Sequence, residues 1–237
     1  MLPDYPFKSS TQKRKIQMKK VWFLLAFCLL IVTNSFAQKE KYSTYYYQRA
    51  ALFENLPITS SDIVFLGNSI TDFCEWAELF ANPHVKNRGI SGDVAMGVYD
   101  RLDAILKGKP AKIFLMIGIN DVSHDLTADS ILGMQKMVVT RIKAESPKTE
   151  LYIQSLLPVN DDFTRFPKVH NKTQVILDIN KGLEILAKEN RCIYVDLYSH
   201  FVTPGTQSLD KKYTNDGLHL LGEGYLLWKQ VIGRYVK

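Results

Sequence analysis

The chain has 237 residues, 46% of them hydrophobic and 23% charged, a globular composition that excludes wholesale disorder and a fibrous repeat. Its length suits one domain of middling size with a single core. The formal net charge is +6, but residues 1–37 hold six Lys/Arg against one acid, leaving 24 bases and 23 acids in the other 200 residues, so overall charge gives no support to a nucleic-acid partner.

Lys19 and Lys20 precede twelve apolar residues, Val21 to Val32, and Ser35-Phe36-Ala37 then puts small residues at positions −3 and −1 of a cleavage site. This layout predicts a signal peptide over 1–37 cut near Ala37-Gln38, a mature domain over 38–237, and secretion to a periplasmic or extracellular location. Twelve residues reach only about 18 Å as helix, too short for a bilayer core. An uncleaved anchor is the alternative; no stable membrane span is expected in the mature form. Phe27 before Cys28 argues against lipidation there. Residues 1–17 are an odd prefix and Met18-Lys19-Lys20 a more usual opening, so translation is expected to start at Met18. The mature chain keeps Cys74 and Cys192, both in apolar segments. Buried free thiols are expected, with one disulfide as the alternative.

From there the chain alternates helix and strand. Tyr42–Phe53 reads as a leading helix closed by Pro57. Ile63–Leu66 is a β-branched apolar run stopping at Gly67, and His84–Asn87 is a weaker strand ending before Arg88-Gly89. Val94–Leu106 reads as helix. Ile113–Ile117 stops at Gly118, and Thr127–Glu145 follows with apolar residues at 131, 134, 137, 138 and 142. Leu151–Leu157 and Cys192–Leu197 are two further strands, with the helical pattern of Thr173–Glu189 between them and a last helix over Leu221–Val236. Short continuous apolar runs suit strands buried on both faces. Alternating βαβα predicts a three-layer α/β/α sandwich around a five-stranded parallel sheet with right-handed crossovers. Ligands in such folds bind beyond the carboxyl ends of the strands.

Four segments stand at those ends: Gly67-Asn68-Ser69-Ile70-Thr71-Asp72, Asn87-Arg88-Gly89-Ile90-Ser91-Gly92-Asp93, Gly118-Ile119-Asn120-Asp121 and Asp216-Gly217-Leu218-His219-Leu220. Together they supply the parts of a serine acyl hydrolase. Ser69, at a strand-to-helix turn, can present its Oγ as nucleophile. His219 can act as its base, oriented by Asp216 three residues earlier. The N–H groups of Ser69 and Gly92 and the side-chain amide of Asn120 can converge on an oxyanion. His124, Phe163 and Phe166 are candidate substrate-binding residues, the phenylalanines as a sugar-stacking or acyl-binding wall. His124 could equally be a surface-loop residue and the phenylalanines loop packing. Trp76 and Glu75 could be core and solvent-exposed. No phosphate loop or zincin histidine pair is present, so no metal and no cofactor are expected.

The four segments resemble, in order and spacing, the four consensus blocks of the SGNH hydrolases, also called GDSL esterases, from about Ile63 to Tyr225. The resemblance implies a flavodoxin-like fold, Ser69 as nucleophile, Gly92 and Asn120 as oxyanion donors, and Asp216 and His219 as acid and base. The ending Asp-Gly-Leu-His-Leu-x-Gly-x-Gly-Tyr is similar to the branch that contains platelet-activating-factor acetylhydrolase catalytic subunits and many bacterial carbohydrate acetylesterases. The name-giving motif has Asp before its Ser, whereas this chain has Asn68. The implied activity is a secreted esterase removing short acyl groups, acetyl first, from a small-molecule or glycan ester. A lysophospholipase or thioesterase is the alternative with the same chemistry. A non-catalytic carbohydrate-binding protein is the alternative of another class.

Overall fold

The structure, a computed structural model, describes residues 40–237. The expected signal peptide over 1–37, its cleavage point and the start at Met18 lie outside the described residues. Five short runs pair in parallel as β1 (Ile63–Gly67), β2 (Val85–Gly89), β3 (Lys112–Met116), β4 (Glu150–Gln154) and β5 (Ile193–Val195). Their spatial order is β2-β1-β3-β4-β5. β1 is buried at all five positions, as a central strand covered on both faces must be. The helices are α1 (Thr44–Glu54), α2 (Ser69–Asp72), α3 (Trp76–Leu79), α4 (Ala95–Asp100), α5 (Asp103–Leu106), α6 (Ile119–Ser123), α7 (Ala128–Glu145), α8 (Thr173–Glu189), α9 (Tyr198–Phe201) and α10 (Gly222–Ile232).

The layers follow from the handedness of the crossovers. The connections β2→β3, β3→β4 and β4→β5 travel one way across the sheet, so α4, α5, α7 and α8 cover one face. There α7 packs against both α4 and α8. The connection β1→β2 travels the other way and puts α2 and α3 on the opposite face. On that face Phe65, Phe114 and Tyr152 are register partners on adjacent strands. Their rings stack in a row at 4.9 and 4.4 Å between centroids. Trp76 of α3 covers Phe65 at 4.0 Å. Trp228 of α10 meets Trp76 edge-on at 4.9 Å and donates its indole N–H to Gln154 at 2.8 Å. The result is the expected three-layer α/β/α sandwich.

Several boundaries differ from the expectation for local reasons. The run Leu151–Leu157 leaves the sheet after Gln154, because β5 has ended at Val195 and other partners take over. The amide of Asn180 on α8 brackets Leu156, accepting its N–H at 2.7 Å and donating to its carbonyl at 3.1 Å. Ser155 Oγ likewise accepts the N–H groups of Leu197 and Tyr198, which stops β5 short of Leu197. The segment stays apolar because it is buried, not because it is strand. β2 runs two residues past Asn87 and ends at Gly89. The helix expected over Val94–Leu106 breaks at Arg101, whose guanidinium is drawn into buried bonds described below. The last helix tightens into a 3-10 turn at Gly233–Tyr235.

Cys74 and Cys192 are both free thiols; Cys74 is buried and Cys192 half-buried. No helix among the described residues is long and apolar enough to cross a membrane. The chain leaves β1 toward β2 but leaves β3 toward β4, so the connections diverge between these adjacent strands. That divergence opens a crevice at their carboxyl ends.

Candidate active site

Ser69 occupies the first position of α2, directly after β1. Its N–H therefore lacks an intrahelical partner and faces outward at the helix start. Asn68 is the N-cap: its Oδ1 accepts the N–H of Ile70 at 3.0 Å. A carboxylate is not required for that bond, so Asn at this position preserves the turn. The hydroxyl of Tyr225 on α10 donates to the carbonyl of Ile70 at 2.9 Å, clamping the turn from the far end of the chain.

The Asp-Gly-Leu-His loop delivers the other two groups. Ser69 Oγ lies 2.9 Å from His219 Nε2, and His219 Nδ1 lies 2.8 Å from Asp216 Oδ2. The second oxygen, Oδ1, accepts the N–H groups of Leu218 at 2.9 Å and His219 at 2.8 Å. Burial raises the cost of ionising Asp216, but these two N–H groups and the imidazole outweigh it and hold the carboxyl below its usual value. Gly217 makes the turn possible. It has φ +84°, and a Cβ there would come within 2.5 Å of the Asn160 carbonyl.

Asn120 follows β3 on α6. Its side-chain amide donates one proton to the Asp93 carbonyl at 2.8 Å, which leaves the second N–H for the cleft. Gly92 sits at φ +80° with open space where a Cβ would stand, so backbone conformation, not crowding, calls for glycine. The loop before it is pinned by Asp72, which accepts the N–H of Ser91 at 3.1 Å and its hydroxyl at 2.9 Å. Beneath lie two buried carboxyls. Asp93 pairs with Arg101 at 2.8 Å. Asp121 accepts the N–H of Ala95 at 3.1 Å, tying the Asn120 loop to the start of α4. Burial pushes Asp121 up to about 6, against the Ala95 bond and with added repulsion from Asp93.

These groups open onto a cleft of about 480 Å³ lined by Ser69, Ser91, Gly92, Asn120, Ser123 and His219 together with a largely apolar wall. Phe166, expected from the sequence, belongs to that wall and meets the His219 ring edge-on at 5.0 Å. Phe163 stands instead beside Gly217 and supports the turn. His124 is exposed on the loop after α6 and is not among the lining residues. Trp76 is core and Glu75 exposed. Phe73 was not singled out from the sequence. It is 57% exposed, lines the cleft and lies 5.1 Å from the His219 ring between centroids. Its signal was present, because it stands one helical turn after Ser69. Among the described residues no group of three or more His, Cys, Asp or Glu is placed to hold a metal ion. The arrangement of Ser69, His219 and Asp216 beside the Asn120 amide can lower the barrier to acyl transfer through a hydroxyl, an oriented imidazole and fixed donors.

Comparison with known proteins points to one family. The model of the GDSL-like lipase/acylhydrolase family matches residues 65–227, a span holding all five residues of the constellation. The platelet-activating factor acetylhydrolase IB subunit alpha2 of Rattus norvegicus is 28% identical over 69% of this chain and 71% of its own length. The alpha1 subunit of Pongo abelii is 30% identical over 69% and 70%. A GDSL-like lipase from Bacteroides thetaiotaomicron superposes with a TM-score of 0.71 at 26% identity, over 81% of this chain and 96% of that one.

Ser69→Ala is expected to abolish ester hydrolysis with the fold intact, and a fluorophosphonate probe is expected to label Ser69 in the wild type. Steady-state turnover by the variant, or labelling only at another serine, contradicts the arrangement. If its amide proton meets charge that develops only in the transition state, Asn120→Ala should lower kcat by roughly 10²–10³ with little change in KM. A large rise in KM at unchanged kcat would make it a ground-state contact.

Asp121 yields a pH prediction. Its folded value of about 6 lies above the ordinary carboxyl value near 3.9, so between these the fold holds a proton that the unfolded chain has released. Stability from this group is full below pH 4 and is lost as pH rises through 6. Asp121→Asn keeps an acceptor for the Ala95 N–H without the charge. Urea denaturation should show the variant gaining on the wild type by about 2–3 kcal/mol between pH 4 and pH 7. A difference independent of pH would refute this.

Proposed function

The chain belongs to the GDSL-like lipase/acylhydrolase family and is a hydrolase, and we propose that it is a secreted serine esterase that removes short acyl groups, acetyl first, from a carbohydrate ester. The observation that carries the serine mechanism is the unbroken relay from Ser69 Oγ to His219 Nε2 at 2.9 Å and from His219 Nδ1 to Asp216 at 2.8 Å. A binding protein has no need of that relay. Ser69 Oγ attacks the acyl carbon while its proton passes to His219 Nε2. The carbonyl oxygen becomes an oxyanion held by the N–H groups of Ser69 and Gly92 and the amide of Asn120. His219 then protonates the departing alcohol oxygen as the ester C–O bond breaks. Water attacks the acyl-serine, loses its proton to His219, and the Ser69 Oγ–acyl bond breaks with return of that proton.

Space behind the nucleophile limits the acyl length. Behind the nucleophile turn, a cavity lined by Asn68, Ile70, Met116, Ile119, Leu156 and Leu218, among others, measures only about 10 Å³, room for about one water. The rings of Phe73 and Phe166, both beside His219 and both lining the cleft, suit a sugar ring on the alcohol side. The acetylhydrolase named among the relatives supports acetyl as the acyl group transferred to Ser69. The apolar wall favours a second reading, a lipolytic acylhydrolase, in which the same surface takes an alkyl chain. Export rests on the signal-peptide layout of residues 1–37, and N-terminal sequencing of the mature protein, expected to begin at Gln38, checks it.

4-Nitrophenyl esters of increasing chain length separate the two readings. Each added methylene that found apolar burial would favour binding by about 0.8 kcal/mol. A closed acyl site instead adds steric conflict. The expected result is a maximum kcat/KM at acetyl or propionyl and a fall of at least roughly tenfold, about 1.4 kcal/mol, by eight carbons. Activity rising steadily from two to eight carbons would promote the lipolytic reading.

A further inference from the structure

We infer that the cleft selects esters whose alcohol portion carries an anionic group, a carboxylate or a phosphate, engaged by Arg165 and Lys168. This rests on the esterase reading above and deepens it. The segment 160–170 is anchored rather than loose. The N–H of Asn160 donates to the Gly217 carbonyl at 2.9 Å, its Nδ2 donates to the Leu209 carbonyl at 2.7 Å, and its Oδ1 accepts the N–H of Asp162 at 3.0 Å. Phe166 rests edge-on against His219, and Val169 is buried. Those anchors set Arg165 and Lys168 on the cleft wall, flanking Phe166 and Pro167.

Both cations are exposed and lack an acid within 4.0 Å among the described residues, although Lys168 lies near enough to Asp125 to help lower its pKa, and three nearby acids have other partners. Asp161 accepts the N–H of Asn171 at 3.0 Å. Asp162 pairs with Lys211 at 2.7 Å, and Asp125 with Lys172 at 2.7 Å. No acidic residue lines the cleft. Two bases are thus gathered at one mouth of a domain that is otherwise nearly neutral. A purely solvating pair would be expected to find the acids within its own loop.

The side of the ester they face follows from the chemistry. His219 gives its proton to the departing alcohol oxygen, and Phe166 touches His219. Groups beside Phe166 therefore border the alcohol, while the acyl oxygen points to Gly92 and Asn120. An arginine fork and a lysine ammonium suit the planar oxygens of a carboxylate or the oxygens of a phosphate. An acidic sugar and a phosphate-bearing glycerol share that chemistry.

The test compares three acetyl esters at low ionic strength: O-acetyl methyl glucoside, O-acetyl glucuronate and O-acetyl glycerol 3-phosphate. The proposal expects kcat/KM for one or both anionic esters to exceed that for the neutral glucoside by roughly tenfold, chiefly through KM. Which anion leads identifies the source. The ratio should shrink at 0.5 M salt, where the Debye length falls to about 4 Å. It should fall below one in Arg165→Glu/Lys168→Glu and move toward one in Arg165→Gln/Lys168→Gln. A wild-type ratio near one, or a ratio that neither pair of substitutions moves, overturns the proposal. Failure to hydrolyse even 4-nitrophenyl acetate would overturn the esterase reading instead.

Discussion

One buried guanidinium gathers the floor of the site. Arg101 donates to Asp93 at 2.8 Å, to the Arg88 carbonyl of β2 at 2.9 Å and to the Gly67 carbonyl of β1 at 3.0 Å. The Asp93 carbonyl in turn orients Asn120 from the end of β3. Three strand ends are thereby tied to a single side chain. The Arg101 and Asp93 side chains are 4% and 0% exposed, so neither charge has water to fall back on. Removing one member of such a pair costs about 3–5 kcal/mol, because the other is left buried and uncompensated. Burial opposes ionisation of Asp93, and the guanidinium restrains that tendency.

The consequence for catalysis is division of labour. The Asp216–His219 relay is built within one short loop, whose own N–H groups organise the carboxylate. The proposed oxyanion donors, by contrast, come from loops that follow three different strands and depend on the buried ties among them. Asp72 secures the Ser91 loop, Asp121 secures the start of α4, and Arg101 secures the strand ends. α1 joins this scheme from one side, since Tyr45 donates to Asp72 at 2.8 Å and Arg49 lies 3.6 Å from it. Preorganised donors need no rearrangement when charge develops, which is where such sites obtain most of their effect.

The sheet order explains why these loops meet at all. β1 and β3 are neighbours whose connections leave in opposite directions, so the segments after them diverge and leave a crevice rather than a covered edge. The aromatic row Phe65–Phe114–Tyr152, capped by Trp76, stiffens the sheet beneath that crevice. α10 then closes on the nucleophile turn through Tyr225 and on the sheet through Trp228.

Much of this is legible in the amino-acid sequence. Strand and helix types follow from apolar periodicity, and the four blocks after the strands announce Ser69, Gly92, Asn120, Asp216 and His219, because glycine, amide and Asp-x-x-His placements are set by neighbours in sequence. What only the tertiary structure decided are relations between distant residues: Ser69 and His219 are 150 positions apart. The choice of Phe166 over Phe163 as cleft wall, the recruitment of Phe73, the break at Arg101, and the placement of Arg165 and Lys168 all depend on which loop lies against which. The end of β4 at Gln154 has the same origin, since burial keeps a segment apolar whether its backbone bonds go to a strand or to the side chain of Asn180. Composition reports burial; only the packed chain assigns the partner.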